Sequence, residues 1–201
     1  MNLANKLTLS RVVLVGVFLL LLLSRIPWGA TAALAVFVLA SATDFVDGYL
    51  ARSRNMITDF GKLMDPLADK ILVSAAFISF VGLGLLPSWI AVTIIGREFA
   101  VTGLRNLAAS RGTIVPADRI GKAKTVSQMV AILALLLAYA IKIDVLPRHR
   151  SAGWLSGFYH TPFSVMKWVL IAVVLALTLA SGWHYLRTHR RLLLENARDT
   201  E

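Results

Sequence analysis

The sequence predicts an all-α integral membrane protein with six transmembrane helices, from its composition, its long apolar segments and the placement of its charges. Of the 201 residues, 57% are hydrophobic and only 16% are charged, whereas a soluble domain carries about 25% charged residues. The mean hydropathy is +0.71, and the apolar residues fall into blocks of roughly 20, the length that crosses a bilayer as a helix. The length suits one domain, so we treat residues 1–201 as a single membrane-embedded domain.

Turn signals separate the predicted spans. The first and second are divided by a short turn that contains Pro27, and the third and fourth by Gly82, Gly84 and Pro87. A polar stretch over residues 142–161 is predicted to be a loop on the outer side. The predicted spans are Leu7–Leu23, Ala30–Ala51, Pro66–Leu85, Ser88–Ala109, Ile120–Ile141 and Phe163–Leu186.

Charge and cysteine content narrow the classes of function. The net charge is +10 and cysteine is absent, so disulfides and thiolate metal sites are excluded and a metal would need oxygen or imidazole ligands. The basic residues stand at the ends of apolar runs, which is typical of contacts with lipid headgroups and phosphates. We therefore expect membrane lipids as partners and no nucleic acid.

The lysines and arginines also predict the orientation of the chain. Cytoplasmic loops of membrane proteins carry an excess of these residues. With the N-terminus in the cytoplasm, 16 of the 21 basic residues face that side. The five on the outer side are Arg25, Lys142, Arg148, Arg150 and Lys167. Both termini are therefore predicted to be cytoplasmic.

Four aspartates form the strongest candidate site. Five of the 11 acidic residues fall between positions 44 and 69, and an ionisable residue in a membrane segment is a functional candidate because it is costly. Asp44 and Asp47 are three residues apart and Asp65 and Asp69 four, so each pair would share one face of a helix. Two such helix ends can surround a metal pair, and all-oxygen ligands favour Mg²⁺ or Mn²⁺. Two such ions could clamp a diphosphate during displacement at phosphorus.

Each of these positions also has an ordinary explanation. Asp65 before Pro66 is a good helix start, with Asp as the N-cap. Asp69 could pair with a nearby lysine, and the first two aspartates with the arginines that follow them. Gly48 and Ala51 share the face of the first pair, where small residues serve helix packing as well as ligand approach. Because these explanations would have to coincide at four positions on two converging faces, we favour the metal site.

The fixed positions of this segment resemble the signature of the CDP-alcohol phosphatidyltransferase family. They read Asp44-x2-Asp47-Gly48-x2-Ala51-Arg52-x8-Gly61-x3-Asp65-x3-Asp69. The resemblance implies a six-helix membrane enzyme that forms a homodimer. Its active site would open to the cytoplasm, and the enzyme would lie in the cytoplasmic (inner or plasma) membrane of a bacterium.

The same resemblance implies roles for individual residues. It implies two Mg²⁺ or Mn²⁺ ions, with Asp69 also acting as the general base. The implied metal ligands are Asp44, Asp47, Asp65 and Asp69. The implied contacts to the CDP group are Gly48, Ala51 and Arg52. Further candidates for CDP binding are Thr58, Asn5 and Thr8, helix capping being the alternative for Asn5.

A basic block over residues 97–125 is the candidate acceptor site. Arginine forms bidentate contacts to phosphate and lysine supplies a point charge. We predict that Arg105, Lys122 and Lys124 bind the phosphate of the acceptor, the alternative being ordinary positive-inside topology. Arg97 and Glu98, near the middle of the fourth span, are predicted to line a polar cavity.

Three stretches further resemble one branch of the family. They are Asn5-Lys6-Leu7-Thr8-Leu9-Ser10-Arg11, Gly96-Arg97-Glu98-Phe99 and Ile120-Gly121-Lys122-Ala123-Lys124-Thr125. That branch transfers phosphatidyl from CDP-diacylglycerol to sn-glycerol 3-phosphate and releases CMP. Within the family, a cardiolipin synthase or an inositol-phosphate transferase is the alternative. Outside it, the alternatives are a magnesium-dependent membrane prenyltransferase and a cation transporter, although a transporter would need acids near the middle of the membrane.

Overall fold

The computed structural model is all-helical in the part of the chain that it describes. This part comprises the backbone of residues 3–24, 26–54, 59–110, 119–148 and 162–188, with the side chains of residues 10–24, 26–43, 70–109, 120–148 and 164–188. Within it lie six α-helices and one π-helical turn, which extends the fifth helix. In chain order they are α1 (Leu3–Leu23), α2 (Gly29–Arg54), α3 (Asp59–Gly82), α4 (Ser88–Ser110), α5 (Arg119–Ala140), the π-helical turn (Ile141–Val145) and α6 (Pro162–Thr188).

Each predicted span is helical apart from the last three residues of the third, since α3 ends at Gly82 and not at Leu85. Two further boundaries differ in an informative way. α3 begins at Asp59 and not at Pro66, because the polar residues before the proline carry no hydropathy signal although they continue the helix. The interpretation of Asp65 as a helix N-cap is therefore wrong. The predicted loop over 142–161 was also placed too early, since helical structure continues to Val145; residues 149–161 lie outside the described residues.

Among the described residues, two helices are long and apolar enough to cross a membrane, Ile120–Val145 and Ser164–Thr188. Shorter apolar helical stretches are Ser10–Leu23, Gly29–Thr43 and Lys70–Gly82. Large apolar side chains are exposed on several helices, among them Leu20, Val92 and Trp183. Apolar surface of this extent on a single chain is typical of contact with lipid or with another protein.

The chain divides into two compact units. The first consists of Met1–Leu86 and Ile132–Lys167, and the second of Pro87–Ala131 and Trp168–Glu201. In the first unit α1 packs against both α2 and α3. Phe18 of α1 and Phe37 of α2 are fully buried, and their rings meet in a tilted arrangement with centroids 5.7 Å apart. Ring pairs of this kind add to the free energy of apolar burial.

Asp144 ties the end of α5 to the start of α2 within the first unit. Its side chain is 1% exposed. Its Oδ1 accepts a hydrogen bond from the N–H of Trp28 at 3.1 Å, and its Oδ2 accepts from the N–H and the hydroxyl of Thr31, each at 2.8 Å. The Arg148 guanidinium donates to the Asp144 carbonyl oxygen and lies 4.7 Å from the centroid of the Trp28 ring. A carboxylate at this helix N-terminus satisfies donors that the helix itself leaves without partners.

The second unit has polar side chains in its interior. Apolar residues of α4, such as Ile90 and Ile94, are buried in the ordinary way. The buried polar residues of this unit in the described part are Lys124, Gln128, Thr178 and Ser181. Burying polar groups costs free energy unless they find partners, so this interior is a candidate for function.

Candidate functional site

Two helices of the first unit carry the four aspartates. Asp44 and Asp47 lie in the C-terminal part of α2, and Asp65 and Asp69 in the N-terminal part of α3. Because both segments are helical, each pair lies on one face about one turn apart. The predicted spacing of the two pairs is thus confirmed at the level of the backbone.

The side chains predicted to bind metal and CDP lie outside the described ones. They are Asp44, Asp47, Asp65, Asp69, Gly48, Ala51, Arg52, Asn5 and Thr8, and Thr58 lies outside the described residues altogether. Their roles therefore stay predictions. α1, which carries Asn5 and Thr8, contacts both aspartate helices, so the backbone brings the three helices of the predicted donor site together.

The donor set suits a divalent metal in its spacing and in its chemistry. Carboxylate pairs at i, i+3 and i, i+4 place their Cβ atoms about 5–6 Å apart on a helix, close enough for both to reach one bound ion. Carboxylate oxygens are the usual protein ligands of Mg²⁺ and Mn²⁺. Among the described side chains, no group of three or more His, Cys, Asp or Glu residues could hold a metal. The four aspartates fall outside that set and are the candidate ligands.

Lys124 lies inside the second unit and pairs with Glu98. It is 3% exposed, and its Nζ donates to Glu98 Oε1. The same oxygen accepts from Arg97 Nη1 at 3.5 Å. Arg97 and Glu98 have side chains 14% and 16% exposed, so the structure joins two cations and one carboxylate in a largely buried group. We call Arg97, Glu98 and Lys124 the charged triad.

The other two predicted acceptor residues are placed differently. Arg105 and Lys122 are exposed, whereas Lys124 is buried. The structure therefore separates both residues from Lys124 by their exposure. Residues two apart on a helix do not face one another, which accounts for the different surroundings of the two lysines.

Sequence reasoning gave no role to Gly182 or Gln128. A Cβ at Gly182 would lie 3.2 Å from Arg97 Cγ, so the glycine of α6 leaves room for the arginine of α4. Gln128 follows Lys124 by four residues on α5 and is 3% exposed. The periodicity of α5 places Gln128 on the face of Lys124 and could have indicated it, but no local pattern identifies the packing of Arg97 on α6.

Comparison with known proteins places the chain in a family. The family model described as CDP-alcohol phosphatidyltransferase matches residues 1–180. The chain belongs to the CDP-alcohol phosphatidyltransferase family. The match covers α1 to α5 and α6 as far as residue 180, and it confirms the resemblance noted in the sequence. As a CDP-alcohol phosphatidyltransferase, the protein is a membrane-bound transferase.

Individual relatives within the family match most of the chain. The CDP-diacylglycerol--glycerol-3-phosphate 3-phosphatidyltransferase of Bacillus subtilis (strain 168) is 42% identical over 197 residues, which cover 92% of this chain and 93% of the relative. The protein of the same name from Cereibacter sphaeroides is 32% identical over 208 residues, covering 92% and 94%. Its counterpart in Rickettsia typhi is 40% identical over 136 residues, covering 68% and 76%.

Proposed function

We propose that this CDP-alcohol phosphatidyltransferase transfers a phosphatidyl group from CDP-diacylglycerol to sn-glycerol 3-phosphate, giving phosphatidylglycerophosphate and CMP in phospholipid biosynthesis. The observation that supports the reaction type is that α2 and α3 of one compact unit each carry a pair of aspartates, and the two aspartates of each pair are about one helical turn apart. The names of the relatives support the choice of donor and acceptor.

In this proposal the four aspartates would hold two Mg²⁺ or Mn²⁺ ions. When bound, such ions neutralise the negative charge of the diphosphate and make CMP a better leaving group. The backbone at Gly48 and Ala51 leaves room for CDP, because neither residue has a side chain beyond Cβ. Further donor contacts come from Arg52, Thr58, Asn5 and Thr8.

Asp69 acts as the general base on the acceptor. It accepts the proton of an acceptor hydroxyl while that oxygen attacks the phosphorus attached to the diacylglycerol. The bond between this phosphorus and the oxygen of CMP breaks, and CMP departs. The geometric requirement is a carboxylate within hydrogen-bond reach of the acceptor hydroxyl.

The acceptor carries a phosphate that needs cations. Lys124, Arg105 and Lys122, all of the second unit, supply them in this proposal. Lys124 belongs to the charged triad, while Arg105 and Lys122 are exposed. The two exposed residues suit capture of the anion and the buried one suits its final positioning, since charges act more strongly away from water.

The membrane arrangement belongs to the same proposal. All six helices cross the bilayer, both termini lie in the cytoplasm, and the active site faces the cytoplasm of a bacterial inner or plasma membrane. The enzyme acts as a homodimer. The excess of Lys and Arg on the predicted cytoplasmic side supports this orientation.

The experiment is CMP release by purified protein in detergent, with CDP-diacylglycerol and Mg²⁺ or Mn²⁺. Acceptors are sn-glycerol 3-phosphate, phosphatidylglycerol and inositol phosphate, with a chelator arm for each. We expect turnover with sn-glycerol 3-phosphate alone and its loss on chelation. Turnover with phosphatidylglycerol or inositol phosphate instead would keep the family reaction and overturn the acceptor, and turnover that survives chelation would overturn the metal site.

A further inference from the structure

The charged triad contains a carboxylate that the proposed reaction leaves without a role. Glu98 neither belongs to the aspartate motif nor carries a charge that would attract an anionic acceptor. Among the described side chains of the second unit it is the only acidic residue. A carboxylate in that position either is structural or prepares the cations beside it.

Burial makes the carboxylate necessary for Lys124. An ammonium group that is 3% exposed has lost nearly all of its hydration, and a buried charge is costly unless it is paired. Glu98 supplies the pairing across α4 and α5. The same Oε1 atom holds Arg97 at 3.5 Å, so one oxygen draws the two cations toward a common point.

The triad keeps an excess of positive charge and of hydrogen-bond donors. Two cations and one carboxylate leave a net charge of +1. Arg97 Nε and Gln128 Nε2 are buried without a hydrogen-bond partner in the part of the chain that the structure describes. Buried donors are rarely left without acceptors, and an anion with several oxygens, such as a phosphate, supplies acceptors for donors of this kind.

The stem of Arg97 lies close to the backbone of α6 at Gly182. A Cβ at that position would stand 3.2 Å from Arg97 Cγ, so the glycine provides the space that the stem occupies. Glu98 contacts the head of Arg97, and a side chain ordered before the ligand binds lowers the entropic cost of binding.

We propose that Glu98 is a positioning residue for the acceptor, holding Lys124 and Arg97 charged and side by side so that the acceptor phosphate meets a preformed pair of cations. This inference rests on the proposed function, because it takes a phosphorylated acceptor as the ligand. Glu98 itself does not touch the acceptor. Its effect is on acceptor affinity and not on the transfer step.

The test measures KM for both substrates and kcat in Glu98→Gln, Glu98→Asp and Lys124→Ala. We expect Glu98→Gln to raise KM for sn-glycerol 3-phosphate roughly tenfold or more, the effect of losing one charge-assisted hydrogen bond. KM for CDP-diacylglycerol and kcat at saturating acceptor should change far less. Glu98→Asp should restore part of the acceptor affinity, since it keeps the charge.

A double-mutant cycle separates positioning from general damage. If Glu98 acts through Lys124, then Glu98→Gln should raise the acceptor KM much less in the Lys124→Ala background than in the wild type. Full additivity of the two effects would overturn the proposal. So would a Glu98→Gln variant in which both KM values rise equally, or in which only kcat falls.

A second variant tests the same geometry without touching a charge. Gly182→Ala places a methyl group against the stem of Arg97 and should also raise the acceptor KM selectively. The matched control is Gly103→Ala on α4, where a Cβ would meet nothing within 4 Å and where no change is expected. Equal behaviour of the two alanine variants would count against the proposal even if Glu98→Gln failed to fold.

The acceptor that the wild-type protein uses distinguishes failure of the proposed function from failure of the role proposed for Glu98. If it uses inositol phosphate instead of sn-glycerol 3-phosphate, the proposed function fails, and the ratios of KM in the variants are measured with the inositol phosphate. If it accepts only phosphatidylglycerol or another acceptor without a free phosphate group, the role of Glu98 is overturned as well. If it accepts sn-glycerol 3-phosphate and the variants show no selective effect on the acceptor, only the role of Glu98 is overturned.

Discussion

Asp69 is the single residue on which the proposed transfer step depends most. It is the last fixed position of the aspartate motif and lies one helical turn after Asp65 on α3. A carboxylate is a weak base, so the residue needs a position close to the acceptor hydroxyl rather than an intrinsically high affinity for protons. Its replacement should therefore remove chemistry without removing structure.

We expect Asp69→Asn to lower kcat by at least about a hundredfold, the lower end of what a positioned general base contributes. The protein should keep its helical circular dichroism spectrum and its elution volume in detergent. The matched control is Asp59→Asn at the first residue of α3, a position outside the motif, which should retain turnover. Substantial turnover in Asp69→Asn would take the proton-accepting role away from this residue.

Single positions also show where sequence reasoning reached its limit. The aspartate spacing could be predicted, because a helical period fixes which residues share a face. The three acceptor cations could not be told apart in the same way. Lys124 is buried against Glu98 while Lys122 is exposed, and this difference depends on which helix packs across α5. Local spacing indicates faces, whereas partners across helices depend on the tertiary fold.

At the scale of whole helices, hydropathy located every described helix and misplaced several ends, two of them for reasons that the structure shows. The start of α3 was missed because Pro66 is a plausible first residue of a helix, while the helix in fact starts at Asp59. Pro66 is the eighth residue of this helix, so it lies past the first turn and removes the hydrogen bond that its N–H would donate to the carbonyl of residue 62. The end of α5 was missed because the π-helical turn up to Val145 depends on contacts made by Asp144 with α2.

The contribution of the contact between α5 and α2 to stability can be measured by substituting Asp144. Its two carboxylate oxygens accept three hydrogen bonds from Trp28 and Thr31 at the N-terminus of α2. We expect Asp144→Asn to destabilise the protein by about 1–3 kcal/mol, because an amide nitrogen would face donors and the favourable charge at the helix N-terminus would be lost. Thermal unfolding in detergent measures the change.

Thr31→Val provides the graded comparison for Asp144. It removes the hydroxyl that donates to Oδ2 at 2.8 Å and leaves the backbone N–H bonds of Trp28 and Thr31 in place. Its loss of stability should be smaller than that of Asp144→Asn. Equal stability of all three proteins would show that the contact contributes nothing measurable, and a loss of turnover at unchanged stability would give Asp144 a functional role instead.

At the scale of the whole molecule, the function and the orientation in the membrane rest on different observations. The family model matches residues 1–180, and this match identifies the protein as a membrane-bound transferase. The proposed orientation in the membrane rests on the placement of 16 of the 21 basic residues on the predicted cytoplasmic side. Basic loops are retained in the cytoplasm while the chain inserts into the membrane. The orientation therefore cannot be read from the described contacts within the folded protein.

The absence of cysteine allows the orientation to be measured directly. Single-cysteine variants Ser151→Cys, in the predicted outer loop, and Thr200→Cys, in the C-terminal tail, are treated with a thiol reagent that does not cross membranes. We expect labelling of Ser151→Cys in intact spheroplasts and of Thr200→Cys only after the membrane is permeabilised, with the cysteine-free parent as the blank. The reverse labelling pattern would show that the protein has the opposite orientation in the membrane, with both termini on the outer side. Labelling of both variants in intact spheroplasts would place both positions on the outer side, which requires an even number of membrane crossings between them. In the described part of the chain α6 is the one helix between the two positions, so joint labelling would remove α6 from the membrane.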